Sequence, residues 1–424
     1  MSKLLIKNGR LLDPESGCDQ VADILIEDGK IYEIDPVTPS LDAEAVDAGG
    51  KLVIPGVIDL HVHLRDLEQA YKETIETGTA AALHGGVTTV FTMPNTQPKL
   101  DCAERIKEYL ELIRQSAKVH VHVVAAISKG LKGEMLAELE AYPDLSVWFI
   151  TDDGFDIDDE ALLEKAYAKA KGLGLTLMTH PEMHSIAPDG VVNEGKISQQ
   201  LGVPGQPNEK EYKAVERGIR LAKKTGARAH FTHLSAKESI ELIRQAKKET
   251  DLITCDATPH HFSLTEDLVL TKGGLAKVNP PLRTEADRQA VIEGIKDGTV
   301  DAIVTDHAPH SMEEKDTDIK QAAFGFSEVE LLIPTTLNEL YHKQGMKLMD
   351  VIKLITFNPA RLAKLESGRI RTGAPADLTI IDLDLEKKVS QEDMVSKGKN
   401  TPFDGMMLKG WPVMTVFEGE VYKA

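Results

Sequence analysis

The sequence predicts an α/β protein: a (β/α)8 TIM barrel joined to a small β-sandwich domain built from both termini. Short β-branched or apolar runs alternate with stretches of helical spacing, eight runs in all, and each run ends in polar residues. Parallel strands need long crossover connections, which helices supply, and strands covered on both faces read as near-continuous apolar runs. Further β-rich segments with turn signals lie outside this alternation at both ends of the chain.

The first β-rich segment spans residues 4–34 and alternates around Asn8-Gly9 and Asp28-Gly29, two pairs suited to hairpin turns. The opening residues Met1 to Ile6 turn polar too soon for a signal peptide and read as the start of a strand. Barrel strands are expected at 57–63, 87–95, 119–127, 145–154, 175–182, 227–235, 252–261 and 302–310. Helices are expected at 103–117, 159–171, 209–225, 237–249 and 285–297, with Gly172 and Gly226 as C-caps that need a positive φ. The charged run 311–321 is the most loop-like part of the barrel. From about Gly368 the chain returns to β, with strands near 377–382 and 413–421, a polar stretch through Asn400 between them, and a turn at Glu418-Gly419. The expected boundaries are 1–54 and 367–424 for the terminal domain and 55–366 for the barrel.

Composition narrows the function. No apolar run approaches the roughly 18 residues that suggest a membrane span. Three scattered cysteines, Cys18, Cys102 and Cys255, make neither a disulfide framework nor a thiolate zinc site, so a reducing cytoplasm is expected. A net charge of −19 argues against nucleic-acid binding. It leaves room for an anionic small molecule, because a metal ion and one Arg can reverse the potential inside a cleft.

The chemistry lies where the strands end. His61 and His63, one residue apart, face the same side of the first strand, and Arg65 follows in the same phase. Asp153 ends the fourth strand, His180 the fifth, His233 the sixth and Asp306 the eighth. A lone histidine at such a position is more often a satisfied core residue, and an Asp-Gly pair more often a turn. Repetition on successive strands favours one convergent metal site at the C-terminal mouth, where barrel active sites form. His307 is expected to be buried behind the ligands, His310 to lie within reach of a substrate, and His260 and His261 to support the site from the seventh strand. His84, His120, His122, His184 and His342 are read as structural.

The chain resembles the amidohydrolase superfamily and, more closely, the bacterial class I dihydroorotases. The strings that carry the resemblance are Pro55-Gly56-Val57-Ile58-Asp59-Leu60-His61-Val62-His63-Leu64-Arg65, Met93-Pro94-Asn95, Thr151-Asp152-Asp153-Gly154, Asn279-Pro280-Pro281-Leu282-Arg283 and Thr305-Asp306-His307-Ala308-Pro309-His310. The resemblance implies one or two Zn2+ ions per subunit. His61, His63 and Asp306 would hold the first, His180 and His233 the second, and Asp153 would bridge them where related hydantoinases and allantoinases use a carboxylated lysine. It further implies that Asp306 is the catalytic proton carrier, and that Arg65, Asn95, Asn279, His310, Phe324 and Gly325 bind the substrate. The implied reaction interconverts N-carbamoyl-L-aspartate and dihydroorotate in de novo pyrimidine biosynthesis, in a cytoplasmic homodimer. Two alternatives stand beside it: a hydrolase of hydantoin-like or allantoin-like rings, and a non-catalytic partner subunit of the kind that associates with aspartate transcarbamoylase. Three segments depart from the family pattern, Asp66-Leu67-Glu68, Pro181-Glu182-Met183 and Phe324 to Pro334, which lacks the usual glycine after its Phe-Gly pair, and all are expected to reshape loops without touching a ligand.

Overall fold

The computed structural model describes residues 3–36 and 43–423, so Met1 and Ser2 of the expected first strand lie outside the described residues. The barrel strands are Val57–Val62, Val87–Thr92, His120–Val123, Phe149–Ile150, Thr176–Thr179, Arg228–Phe231, Ile253–Ala257 and Ala302–Ile303. Neighbours pair in parallel. The third and fourth strands are bridged through Ala125 and Ile150, and the ring closes where Val62 pairs with His307.

The strands are shorter than the apolar runs suggest. The expected strand at 145–154 is ordered as Phe149–Ile150, because a 3-10 turn at Pro143–Leu145 precedes it and the chain leaves the ladder to present its aspartates. The seventh strand ends at Ala257, and Pro259 opens a short helix, Pro259–Ser263, that carries His260 and His261. A proline suits a first helical position, where its missing N–H is not needed. In the segment 311–321 the loop contains one ordered turn of helix, Met312–Lys315.

The first strand does not alternate simply. Ile58 and Leu60 share the barrel interior with Phe91, Met93, Val124, Phe149, Met178 and Val304 from other strands. The register against the second strand then shifts between Asp59 and Val62, and this irregularity turns His61 and His63 inward as well. The barrel floor is closed by Ala360 and Ala363 at the end of the last helix, Phe357–Leu362.

The terminal strands form one hydrogen-bonded sheet that joins the two ends of the chain. In order they are Glu420–Lys423, Met407–Phe417, Leu378–Lys388, Leu52–Pro55, Lys3–Asp13, Cys18–Glu27 and Lys30–Ile34, with Glu44–Asp47 also paired to Lys3–Asp13. Its core includes Ile6, Leu11, Ile24, Ile26, Ile380 and Val416. Asn8-Gly9 is not a hairpin turn: the pair sits inside Lys3–Asp13 at a register shift, with Asn8 at φ 60°. Asp28-Gly29 does turn the chain, with both residues at positive φ as primed hairpin turns require. Helix Glu160–Leu173 runs through Gly172 and is capped instead by Gly174 at φ 71°, whereas Gly226 caps Glu209–Thr225 as expected.

Gly85, the C-cap of helix Ile75–His84, lies against the segment that follows the barrel's last strand: a Cβ there would stand 2.6 Å from Glu330 Cα. Gly85→Ala is therefore expected to destabilise the protein by about 1–3 kcal/mol, because backbone and not a flexible side chain must yield. Denaturant unfolding checks this, and an unchanged midpoint would contradict it.

Candidate metal centre and substrate pocket

All six expected ligands converge at the barrel mouth. His61 Nε2 lies 3.3 Å from Asp153 Oδ1 and 3.4 Å from Asp306 Oδ1, and His63 Nε2 lies 3.0 Å from Asp306 Oδ1 and 3.6 Å from Asp153 Oδ2. On the other side, His180 Nδ1 lies 3.0 Å from His233 Nε2 and 3.5 Å from Asp153 Oδ1. Two subsets, His61–His63–Asp306 and His61–Asp153–His233, bring their donor atoms within 4.8 Å of one another. These separations suit a cation. Ligand bonds of 2.0–2.1 Å in a tetrahedron place neighbouring donors about 3.3 Å apart. Buried His61 Nε2 and Asp153 Oδ1 make no hydrogen bond, and unpaired buried polar atoms in contact are costly unless something between them satisfies both.

The backbone is bent to achieve this. His233 has φ 41° and Asp306 φ 51°, conformations that non-glycine residues rarely adopt. At His233 the bend matters: Thr232 already points inward, so an undistorted strand would turn the next side chain away. Residues 65–67 share the left-handed region. Non-glycine residues in this region tend to mark functional sites.

Surrounding side chains fix which nitrogen His61, His63 and His180 offer. Thr232 Oγ1 stands 3.1 Å and 3.2 Å from the two Asp256 oxygens and donates to that carboxylate, so it accepts from His61 Nδ1 at 2.9 Å. His63 Nδ1 donates to Asn95 Oδ1 (2.8 Å), and His180 Nε2 donates to Glu182 Oε2 (2.9 Å). Each contact leaves the opposite nitrogen with its lone pair toward the centre, as metal ligands require. Asp256 also accepts the backbone N–H of His233, and Asp59 accepts the N–H groups of His61 and Thr305. Beside the ligand, Asp152 accepts the N–H groups of Ile127 and Ser128 and holds the strand end that carries Asp153. Thr232, Asp256 and Asp59 were not singled out from the sequence, and Glu182, in a segment expected not to touch a ligand, instead accepts directly from His180. Only Glu182, two residues after His180, carried a local hint.

Burial opposes charge on His61 and His180, yet the carboxylates outweigh it: Asp153 and Asp306 hold His61 up at about 9, and Asp153 with Glu182 holds His180 at about 10. Asp153 and Asp306 are drawn well below the usual carboxylate range by the imidazoles, against burial. Burial lowers His63 and His233. Two carboxylates thus gather two positive charges, which protons supply in the cation-free protein.

A cavity of about 330 Å3 opens beside the cluster and is lined by His63, Asp153, His180, Asp306 and all six expected substrate residues. Arg65 is buried, donating to Pro309 O (3.3 Å), with His310 Nε2 also 3.3 Å away. Asn95 is engaged by the cluster, its amide nitrogen donating to Asp153 Oδ2 (3.0 Å), and Asn279 donates to Glu182 (2.7 Å). Phe324 is partly exposed, its ring under Lys277 Nζ at 4.3 Å. Gly325, at φ 128°, leaves no space for a Cβ, which would meet Ala308 at 2.6 Å, and its N–H and C=O are taken by Lys277 O, Lys315 and Asn400. His307 is buried behind Asp306 and accepts from the Glu328 N–H, and His260 and His261 lie behind the cluster with Glu328 and Pro280 O as partners. Lys72 and Lys99 also line the cavity.

Barrel, terminal sheet and imidazole–carboxylate cluster together define the amidohydrolase fold, and comparison with known proteins narrows this. A dihydro-orotase-like family model matches residues 50–239. The chain is 41% identical over 419 residues to a dihydroorotase of Syntrophotalea carbinolica, covering 99% of this chain and 98% of that one. It is 40% identical over 417 residues to one from Bacillus cereus, with 98% and 97% covered. Among solved structures it is similar to an L-hydantoinase from Arthrobacter aurescens, with a TM-score of 0.89 and 28% identity over 99% of this chain and 96% of that one. The chain belongs to the dihydroorotase family.

Two outcomes follow from the cluster. Thr232→Val keeps the shape of the side chain but frees His61 to rotate and change tautomer, so cation affinity is expected to fall about 10–100-fold in a chelator competition titration; unchanged affinity would refute the orienting role. The protons held on His61 and His180 up to about 9 and 10 have no counterpart in the unfolded chain above about pH 6.5. Stability from them is full below that pH and lost as pH rises through the folded values. Cation-free protein should lose melting temperature between pH 7 and 10 while cation-loaded protein changes less, and equal declines would count against this.

Proposed function

We propose that the chain interconverts N-carbamoyl-L-aspartate and L-dihydroorotate reversibly, as a zinc-dependent step of de novo pyrimidine synthesis. Beyond family membership, one observation carries this reading. Arg65 is only 8% exposed in the cavity wall, yet it makes no salt bridge among the described residues. A buried guanidinium without a counter-ion is costly, and a substrate carboxylate would supply the partner for its two parallel donors. Lys72 and Lys99 add positive charge to the same cavity in a chain of net charge −19. An uncharged hydantoin ring would leave Arg65 unpaired.

His61, His63 and Asp306 would hold one divalent cation, and His180 and His233 a second, with Asp153 between them. Imidazole and carboxylate donors without thiolate are compatible with zinc. Bound there, the cations supply acidification of a water molecule and polarisation of the ring amide carbonyl. Asp306 directs Oδ1 at His63 and His61, which leaves Oδ2 for proton transfer. In ring opening, Asp306 takes a proton as the water oxygen bonds to the carbonyl carbon. It returns that proton to the amide nitrogen as the C–N bond breaks, since an unprotonated amide nitrogen leaves poorly. Arg65, Asn279 and His310 orient the substrate, Asn95 joins its amide to the cluster, and Phe324 and Gly325 form the opposing wall.

The domain boundaries at residues 54/55 and 366/367 remain part of this reading. No described helix is long and apolar enough to cross a membrane. Family membership supports a cytoplasmic homodimer, which light scattering tests, and association with aspartate transcarbamoylase is tested by co-purification.

The reaction is tested by assaying dihydroorotate ring opening in chelated and zinc-reconstituted protein. Activity should vanish on chelation and return with zinc. Arg65→Ala should lower kcat/KM for dihydroorotate about 30-fold or more, the cost of losing a desolvated charge pair, and Arg65→Lys should recover little because the bidentate geometry is lost. Turnover of uncharged hydantoins with none of dihydroorotate would overturn the assignment.

A further inference from the structure

We propose that Lys72 is a positioning residue that fixes the tautomer of His310 and thereby keeps an Arg65 N–H free for the substrate's carboxylate; this rests on the reading of the pocket above. The two ring nitrogens of His310 meet conflicting partners. At Nε2 stand the Phe324 carbonyl (2.9 Å), which can only accept, and Arg65 Nη2 (3.3 Å), which can only donate. At Nδ1 stand Lys72 Nζ (3.2 Å), a donor, and Glu314 Oε2 (3.2 Å), an acceptor. A neutral imidazole satisfies one member of each pair. With a proton on Nε2 it donates to Phe324 O and accepts from Lys72; with a proton on Nδ1 it donates to Glu314 and accepts from Arg65.

Lys72 decides between them. Its ammonium donates to Nδ1 and also pairs with Glu314 at 3.0 Å, so Glu314 is neutralised while the lone pair at Nδ1 is used. Tyr71 donates to the same carboxylate oxygen as Lys72, its hydroxyl 2.9 Å from Glu314 Oε1. The loop after the first barrel strand is thus latched to the short helix Met312–Lys315 across the cavity rim. The charged groups facing His310 are Arg65 and Lys72 from the first loop and Glu314 and Lys315 from the last. Burial and the three cations hold the ring neutral, down at about 3, with Glu314 opposing them. With Nε2–H held by Phe324 O, the ring offers no lone pair to Arg65, and Arg65 Nη2 keeps its N–H for the carboxylate. The other tautomer would turn a lone pair to Arg65 and take up that donor.

Removing the ammonium takes the donor away from Nδ1, so that Glu314 would accept from an Nδ1–H and Nε2 would accept from Arg65, which is the opposite tautomer. The test compares zinc-loaded wild type, Lys72→Met and Lys72→Arg by nitrogen-15 NMR of labelled histidines, with His310 assigned through His310→Gln, alongside kcat and KM for dihydroorotate. Wild type and Lys72→Arg should show His310 protonated on Nε2 alone. Lys72→Met should show a proton on Nδ1, with KM raised about tenfold, the scale of one charge-assisted hydrogen bond, and kcat changed less than about threefold. A Lys72→Met protein that keeps the wild-type tautomer, or that gains the new tautomer without a rise in KM, overturns the proposal. Absence of ring opening in wild type would instead sink the assigned reaction, while the NMR comparison still judges the effect of Lys72 on His310.

Discussion

Two aspartates and four histidines are packed into the barrel mouth with almost no water. Asp153 and Asp306 are 4% and 7% exposed, and none of the four imidazoles exceeds 5%. Carboxylates out of water must be compensated by positive charge within a few ångströms or be neutralised. Here the imidazoles surround them, and those of His61, His63 and His180 are in turn oriented by an acceptor behind each. The irregular first strand, the left-handed His233 and Asp306, and the buried Asp256, Glu182 and Asp59 all serve this arrangement. Left alone, each would be an expensive defect. Together they bring the donor atoms of His61, His63 and Asp306, and of His61, Asp153 and His233, within 4.8 Å of one another.

The barrel was legible because alternation of apolar runs and helices is a property of long segments, which survives errors in any one of them. Strand ends were not. The apolar run 145–154 contains a strand of two residues, since burial alone makes a run apolar and does not require it to pair. His260 and His261 follow the seventh strand in sequence but ride on a helix that Pro259 initiates. The ligands were legible by their repetition at strand ends, although simple strand phase would have turned either Leu60 or His61 outward. A register shift resolves that conflict, and no residue type announces it. The surrounding side chains were hidden for a related reason: Thr232, Asp256 and Asp59 become meaningful only when a neighbouring strand brings an imidazole or an N–H group to them.

The terminal segments also do more than their sequence suggests. The stretch through Asn400 reads as polar sequence between strands, yet Asn400 is fully buried and uses both ends of its amide. Its oxygen accepts from the His310 N–H and the Ser327 hydroxyl, each at 2.8 Å, and its nitrogen donates to Gly325 O and Ala308 O. Four hydrogen bonds from one side chain hold together the loop that carries His310 and the Phe324-Gly325 wall. Ser396, four residues earlier, reaches Glu73 at the foot of the loop that carries Lys72. The C-terminal part of the sheet domain therefore braces both sides of the cavity.

The distribution of charge within the cavity follows from these supports and bears on what it accommodates. Asp153, Asp306, His63 and His180 line it together with Arg65, Lys72 and Lys99. With divalent cations at the cluster, positive charge would come from two sources: the cluster would suit a carbonyl oxygen that gains negative charge during reaction, and Arg65 a carboxylate that is charged throughout. In the proposed reaction, ring opening would create a second carboxylate beside the cluster, so the electrostatics that bind the closed ring would also stabilise the opened one. A site that holds both species comparably is suited to run in either direction, since neither is trapped in a deep well.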